Sequence, residues 1–364
     1  MRKLPTFSCC LLSVGLLALA PAGTLAADWV GQANSDKGLV ESFWTPERFQ
    51  NAQPLPMTAV GSTASANDPE EYAEPAGPAV SAAGRAPSAR VRPDLKNRLF
   101  EPWEDALDLP GSVAETASGS AGAYFTSARL VPSTADLAYP YSTVGKLFFT
   151  IPGRGEFYCS ASVLRQRVVL TAAQCIHSGT SSPGFYTNFR FVPAYRNGTA
   201  PFGTWDWAYV AVSSGWTTSG GVLPNAADYG MIEVQDEVIN GSLRRLGEVV
   251  GFLGYQTQKL RPNHAHLLAY TSSFDSGERM HQVTAQAFRA ASQSNAEYGS
   301  DMRNGSGGGP LIQDFGDNPI LVKVIGVLSY FNTATGVKLQ GASTPDTRFT
   351  NLVTQVCAHR AGNC

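Results

Sequence analysis

The feature that most restricts the fold lies beyond residue 140. Short β-branched and aromatic runs recur there, many of them closed by Gly, Pro, Asn or Ser: Val144–Ile151, Val163–Leu170, Tyr209–Val212, Met231–Val234, Val249–Leu253, Gln282–Phe288 and Leu321–Leu328. Short runs at this spacing argue for antiparallel strands in a sandwich or barrel. The 36 glycines and 23 prolines supply the turns such a fold needs. Only Thr350–Ala358 has a helical texture. The expectation is an all-β domain over residues 126–364, long enough for two antiparallel barrels of the six-stranded type, with a short C-terminal helix. Barrel one is placed at about 140–240 and barrel two at about 245–348.

The first 125 residues have a different character. Arg2 and Lys3 precede an apolar core, Leu11–Ala20, that is too short to span a bilayer as a mature helix. Small residues at Thr24-Leu25-Ala26 fit a cleavage site, so residues 1–26 read as a signal peptide. The mature chain is then expected to be secreted or periplasmic, with no membrane association after cleavage. Residues 27–125 are rich in Ala, Pro, Ser and Gly and read as a low-complexity linker or pro-segment, with a processing site near Arg129. Two aromatic islands interrupt it, Trp44–Phe49 and Leu99–Trp103, and either is able to dock on the folded domain.

Cys9 and Cys10 fall within the leader, which leaves Cys159, Cys175, Cys357 and Cys364. An even number in an exported chain points to two disulfides. Sequence permits three pairings, and the local choice is Cys159–Cys175 with Cys357–Cys364. A net charge of −2 gives no basic excess for nucleic acid.

Three segments line up in order. The first runs from Cys159-Ser160-Ala161-Ser162 to Leu170-Thr171-Ala172-Ala173-Gln174-Cys175. The second is Asp228-Tyr229-Gly230-Met231-Ile232-Glu233-Val234, and the third is Asp301-Met302-Arg303-Asn304-Gly305-Ser306-Gly307-Gly308-Gly309-Pro310. Together they resemble the trypsin-like serine peptidases, whose motifs are Thr-Ala-Ala-His-Cys, an aspartate opening a strand, and Gly-Asp/Asn-Ser-Gly-Gly-Pro. Phe191–Tyr195, Gly203-Thr204-Trp205 and Ile325–Tyr330 are similar to the bacterial and fungal branch that includes glutamyl endopeptidases. The resemblance covers roughly residues 140–335. It implies a chymotrypsin-like fold, a Cys159–Cys175 disulfide, and a cleft lined by Ser329 and Tyr330. Asp301 falls where trypsin-like enzymes place a specificity acid, but non-basic-specific relatives resemble this sequence too, and an aspartate making loop hydrogen bonds is the favoured reading.

Two positions depart from the family pattern. Gln174 stands where the histidine belongs, and in an ungapped alignment Gly307 stands where the serine belongs; Asp228 is retained. Acyl transfer needs an oxygen nucleophile and a base that exchanges a proton near neutral pH. An amide does not titrate, and glycine has no hydroxyl. The backbone N–H groups of Gly305 and Gly307 remain as oxyanion-type donors. The resulting expectation is an inactive or impaired peptidase homologue that binds a peptide or protein in the cleft. The alternative is an active endopeptidase using Ser306, His177 and Asp228, if the glycine loop carries one extra residue. Ser306 also occupies the place of the acidic residue that pairs with a new N-terminal amine in zymogen activation, so that switch is not expected. His264 and His266 lack a nearby third ligand, so no metal is assigned, and no cofactor is implied.

Overall fold

A computed structural model describes residues 1, 28–35, 39–61, 78–101, 123–258, 264–292, 295–333 and 338–364. The expected leader with Cys9 and Cys10, its expected cleavage site, and Trp103 lie outside the described residues. Six strands form the first barrel: β1 (Val144–Ile151), β2 (Gly155–Val163), β3 (Val168–Thr171), β4 (Thr187–Pro193), β5 (Trp205–Ser213) and β6 (Gly230–Val234). The order β5-β6-β3-β2-β1-β4 closes on itself through pairing of β4 with β5. The second barrel comprises β7 (His264–Ala269), β8 (His281–Ser292), β9 (Asn295–Gly299), β10 (Pro310–Gln313), β11 (Lys323–Asn332) and β12 (Leu339–Ser343). Its order, β10-β7-β8-β9-β12-β11, closes through β10 and β11. The chain is therefore all-β with two closed six-stranded antiparallel barrels.

Local chemistry explains where the strand readings shift. The run Val163–Leu170 contains Arg165-Gln166-Arg167, and there the chain turns from β2 into β3, with the Leu164 N–H donating to Val168 O at 2.8 Å. Val249–Leu253, expected as a strand, is instead the end of a short helix, Leu246–Val250. The Glu248 carboxylate accepts from the Arg245 N–H at 3.1 Å, which starts the helix as in a capping box. Gly251, at φ +78°, stops it. The C-terminal helix α1 spans Thr347–His359. Asp346 caps it, accepting from the Arg348 and Phe349 N–H groups at 2.9 and 3.2 Å. Disulfides join Cys159 to Cys175 and Cys357 to Cys364.

Several described segments before β1 pack on the barrels, while residues 78–99 stay partly or fully exposed. Trp29–Ala33 adds a strand to β5, and Phe125–Arg129 adds one to β8. Alternate residues of β1 face opposite sides, so Leu147 and Phe149 share one face and Phe148 lies on the other. Trp44 and Phe49 cover Phe148 with ring centroids 5.6 and 5.0 Å away. The Trp44 indole N–H donates to Asn188 O at 2.7 Å. Phe100 is also buried in this core. Arg129 is ion-paired with Asp275.

Candidate active site

Gln174 sits in a 3₁₀ turn, Ala173–Cys175, directly after β3. The Cys159–Cys175 bridge ties that turn back to β2. Asp228 lies just before β6, and β6 pairs with β3 through Gly230 and Thr171. Strand pairing therefore brings Asp228 to the turn. Its Oδ1 accepts from the Gln174 backbone N–H at 2.9 Å, and its Oδ2 accepts from Gln174 Nε2 at 2.7 Å. The second barrel contributes Ser329 from β11, whose hydroxyl donates to Asp228 Oδ2 at 2.5 Å. Gln174 Nε2 also donates to Ser329 O at 2.5 Å. Both amide hydrogens of Gln174 are thus engaged, one on each barrel. Asp228 is fully buried, and burial pushes its carboxyl up to about 6 against the hydrogen bonds from Ser329 and Gln174.

The loop 301–309 connects β9 to β10 and is stitched across the barrel interface. The Ser160 N–H donates to Gly307 O at 2.9 Å, and the Ser160 hydroxyl donates to Gly305 O at 3.0 Å. Gly308 (φ +85°) must be glycine: a Cβ there would lie 2.0 Å from Thr171 Oγ1 and 2.2 Å from Ser160 O. Gly307 is different. A Cβ at that position meets only Cys175 Sγ at 3.8 Å and Met57 Cε at 4.0 Å, so the site has room for a side chain.

The structure does not bring Ser306, His177 and Asp228 into a hydrogen-bonded trio. The buried Ser306 hydroxyl donates to Arg303 O at 2.6 Å and accepts from Gln340 Nε2 at 2.7 Å. His177 Nδ1 accepts from the Gly179 N–H at 2.9 Å, and its ring packs edge-on against Phe185. Burial holds the His177 imidazole below its usual range. His177 does line the same pocket as Gln174, with Tyr186 and Trp216.

The Gly305 N–H points into the cleft and donates to Leu55 O at 3.0 Å. Burial raises the Asp301 carboxyl, with the nearby Ser127 hydroxyl acting against it. The Ser127 hydroxyl in turn lies 2.6 Å from His281 Nε2. Tyr330 is buried, and its hydroxyl donates to Glu297 at 3.3 Å. His264 and His266 lie on β7 with ring centroids 5.8 Å apart, and His266 stacks on Phe315.

The Trypsin family profile matches residues 138–353, well over half of the chain. The chain belongs to the trypsin family. The trypsin-family fold recurs in the solved structure of protease Anisep from Arthrobacter nicotinovorans, with a TM-score of 0.51 and 24% identity over 60% of this chain and 96% of that one. A thermostable serine protease, AL20, from an extremophilic microorganism gives a TM-score of 0.51 and 21% identity, covering 60% of this chain and 98% of the other. A Glu endopeptidase in complex with MPD gives 0.51 and 16%, covering 66% of this chain and 98% of that one. At these identities the likeness carries the fold and not the activity. Comparison with curated proteins gave no match.

The cleft also holds residues that the sequence reading did not single out: Leu55, Met57 and Gln340. Met57 Sδ lies 3.2 Å from Gln340 Nε2 and 3.9 Å from Ser306 Oγ. The signal in the sequence is the spacing Pro54-Leu55-Pro56, which holds the chain extended and removes two N–H donors.

Proposed function

We propose that this chain is an exported, non-hydrolytic member of the trypsin family that holds a peptide or protein in the cleft between its barrels. The hydrogen bond from Gln174 Nε2 to Asp228 at 2.7 Å carries the reading. In an active triad an imidazole at this position accepts the nucleophile's proton and then gives it to the leaving amine. A carboxamide donor satisfies the same carboxylate and preserves the local packing, but it has no proton to exchange near neutral pH. Gly307 adds no nucleophile. The Ser306 hydroxyl is bonded to Arg303 O and Gln340 and makes no hydrogen bond to a base. Residual rate from backbone donors alone is small against a complete triad.

Export rests on the leader-like N-terminus and on two disulfides, which persist in oxidising compartments. Cleft binding rests on the retained glycine loop, whose Gly305 N–H takes the carbonyl of an extended segment, Leu55 O, at 3.0 Å. The test is a pull-down from a peptide library with a Met57→Asp variant, in which the chain's own Leu55–Val60 segment is displaced from the cleft, and with the same variant blocked at the Gln174 rim. Retention that depends on the cleft, without cleavage of the retained peptides, is the expected result. Cleaved peptides, or retention indifferent to the cleft, overturn it.

A further inference from the structure

The cleft is already occupied, and by this chain. Gln53 and Pro54 pair in parallel with Phe157 and Tyr158 of β2. The Leu55 N–H donates to Tyr158 O at 2.9 Å, and Leu55 O accepts from the Gly305 N–H at 3.0 Å. The Met57 N–H donates to Asn304 Oδ1 at 3.0 Å. Thr58, Ala59 and Val60 then pair in parallel with Tyr330, Phe331 and Asn332 of β11. A single extended segment therefore bridges the two barrels and takes up a backbone donor that an incoming carbonyl would need.

Its one side chain set deep in the cleft is Met57, which is only 6% exposed. Gln340, fully buried on β12, dictates the chemistry there. Its Oε1 accepts from the Ser300 hydroxyl at 2.9 Å, which orients its amide nitrogen toward Ser306 and Met57. One amide hydrogen serves Ser306 Oγ, and the thioether sulfur is the acceptor within reach of the other. A hydrocarbon of the same length fills the space and leaves that donor without a partner.

We propose that the subsite formed by Ser306, Gly307 and Gln340 accepts methionine from an extended peptide, and that its resident ligand is the Leu55–Val60 segment, so that an external peptide enters only where this segment has left. The proposal rests on the reading of the cleft as a peptide-binding site. A tethered ligand acts at high effective concentration, so a free competitor of the same sequence binds the intact chain weakly.

The experiment has two arms. In the first, intact wild-type protein is treated with hydrogen peroxide and mapped by mass spectrometry. Met57 should oxidise at least tenfold more slowly than in the free peptide Gln53–Val60, and an excess of that peptide should raise its rate. In the second, the fluorescein-labelled peptide is titrated against wild type and Met57→Asp by anisotropy. The variant should bind at least tenfold more tightly than wild type, and a norleucine peptide severalfold more weakly than the methionine one. Oxidation at the free-peptide rate overturns the proposal. So does equal binding to wild type and Met57→Asp, or protection of Met57 that excess peptide never relieves. If Met57→Asp does not fold, the oxidation arm decides alone. Unrelated peptides that bind the wild-type cleft at full strength refute the resident segment and leave cleft binding standing. Absence of any cleft-dependent peptide binding refutes both.

Discussion

Gln174 Nε2 donates to Asp228 Oδ2 at 2.7 Å while the Gln174 backbone N–H donates to Oδ1 at 2.9 Å, so one residue serves both oxygens of a fully buried carboxylate. Removing the side chain strips a donor from a group that water cannot reach. Gln174→Ala is expected to destabilise the chain by about 1–3 kcal/mol. Urea unfolding at pH 7 measures this; a change within experimental error contradicts the structural role.

Restoring chemistry takes two replacements together. Gly307 leaves its Cβ direction open, with the nearest atoms at 3.8 and 4.0 Å, so Gly307→Ser should be accepted without backbone strain. Triad members act as a unit, and a single missing one costs on the order of 10⁴ or more in kcat. Neither Gln174→His nor Gly307→Ser alone should therefore hydrolyse a peptide substrate. The pair, assayed in a Met57→Asp background that vacates the cleft, should show hydrolysis above both singles. Equal rates in all variants contradict the assignment of these two positions.

Asp228 gives the chain an unusual pH response. Burial raises its carboxyl from an ordinary 3.8 to about 6. The folded state therefore holds this proton more tightly than the unfolded state. The contribution is fully present below pH 3.8 and is lost as pH rises through 6, by about 3 kcal/mol for a shift of roughly two units. Asp228→Asn removes it, so the variant should gain on wild type between pH 4 and pH 7. Paired denaturant titrations at the two pH values provide the check; a parallel offset at both contradicts it.

His281 works in the opposite sense. Burial, and then the Arg129 guanidinium, lower its imidazole from 6.5 to about 4. Its stabilising contribution is present above pH 6.5 and is lost as pH falls through 4. His281→Gln should therefore flatten the acid limb of the thermal stability profile by about 3 kcal/mol. An acid limb unchanged by the substitution would show that His281 already charges freely in the folded chain.

Much of this architecture is readable from residue order. The strands β1, β5, β6 and β11 announce themselves because each is a β-branched or aromatic run bounded by turn residues. Gln174 is legible because Cys175 fixes its register. Val249–Leu253 misleads because an apolar run of five suits a strand or a buried helix equally, and only the Arg245–Glu248 cap decides between them. The docking of residues 39–60 is less visible. Trp44 and Phe49 are two rings in a stretch whose average composition is that of a linker. Met57 reaches Gln340 across 283 residues, a contact that no local pattern reports. Trp44→Ala should accordingly cost about 3–5 kcal/mol, as for a core aromatic and not for a linker.

Under the proposed function, the trypsin-family cleft holds a peptide without hydrolysing it. The most direct measurement is labelling of the mature, disulfide-bonded chain with a fluorophosphonate probe, in wild type and in Met57→Asp. With Gln174 in place of the base and Ser306 held by Arg303 O and Gln340, no labelling is predicted in either protein. Stoichiometric modification of Ser306 that disappears in Ser306→Ala would contradict the account.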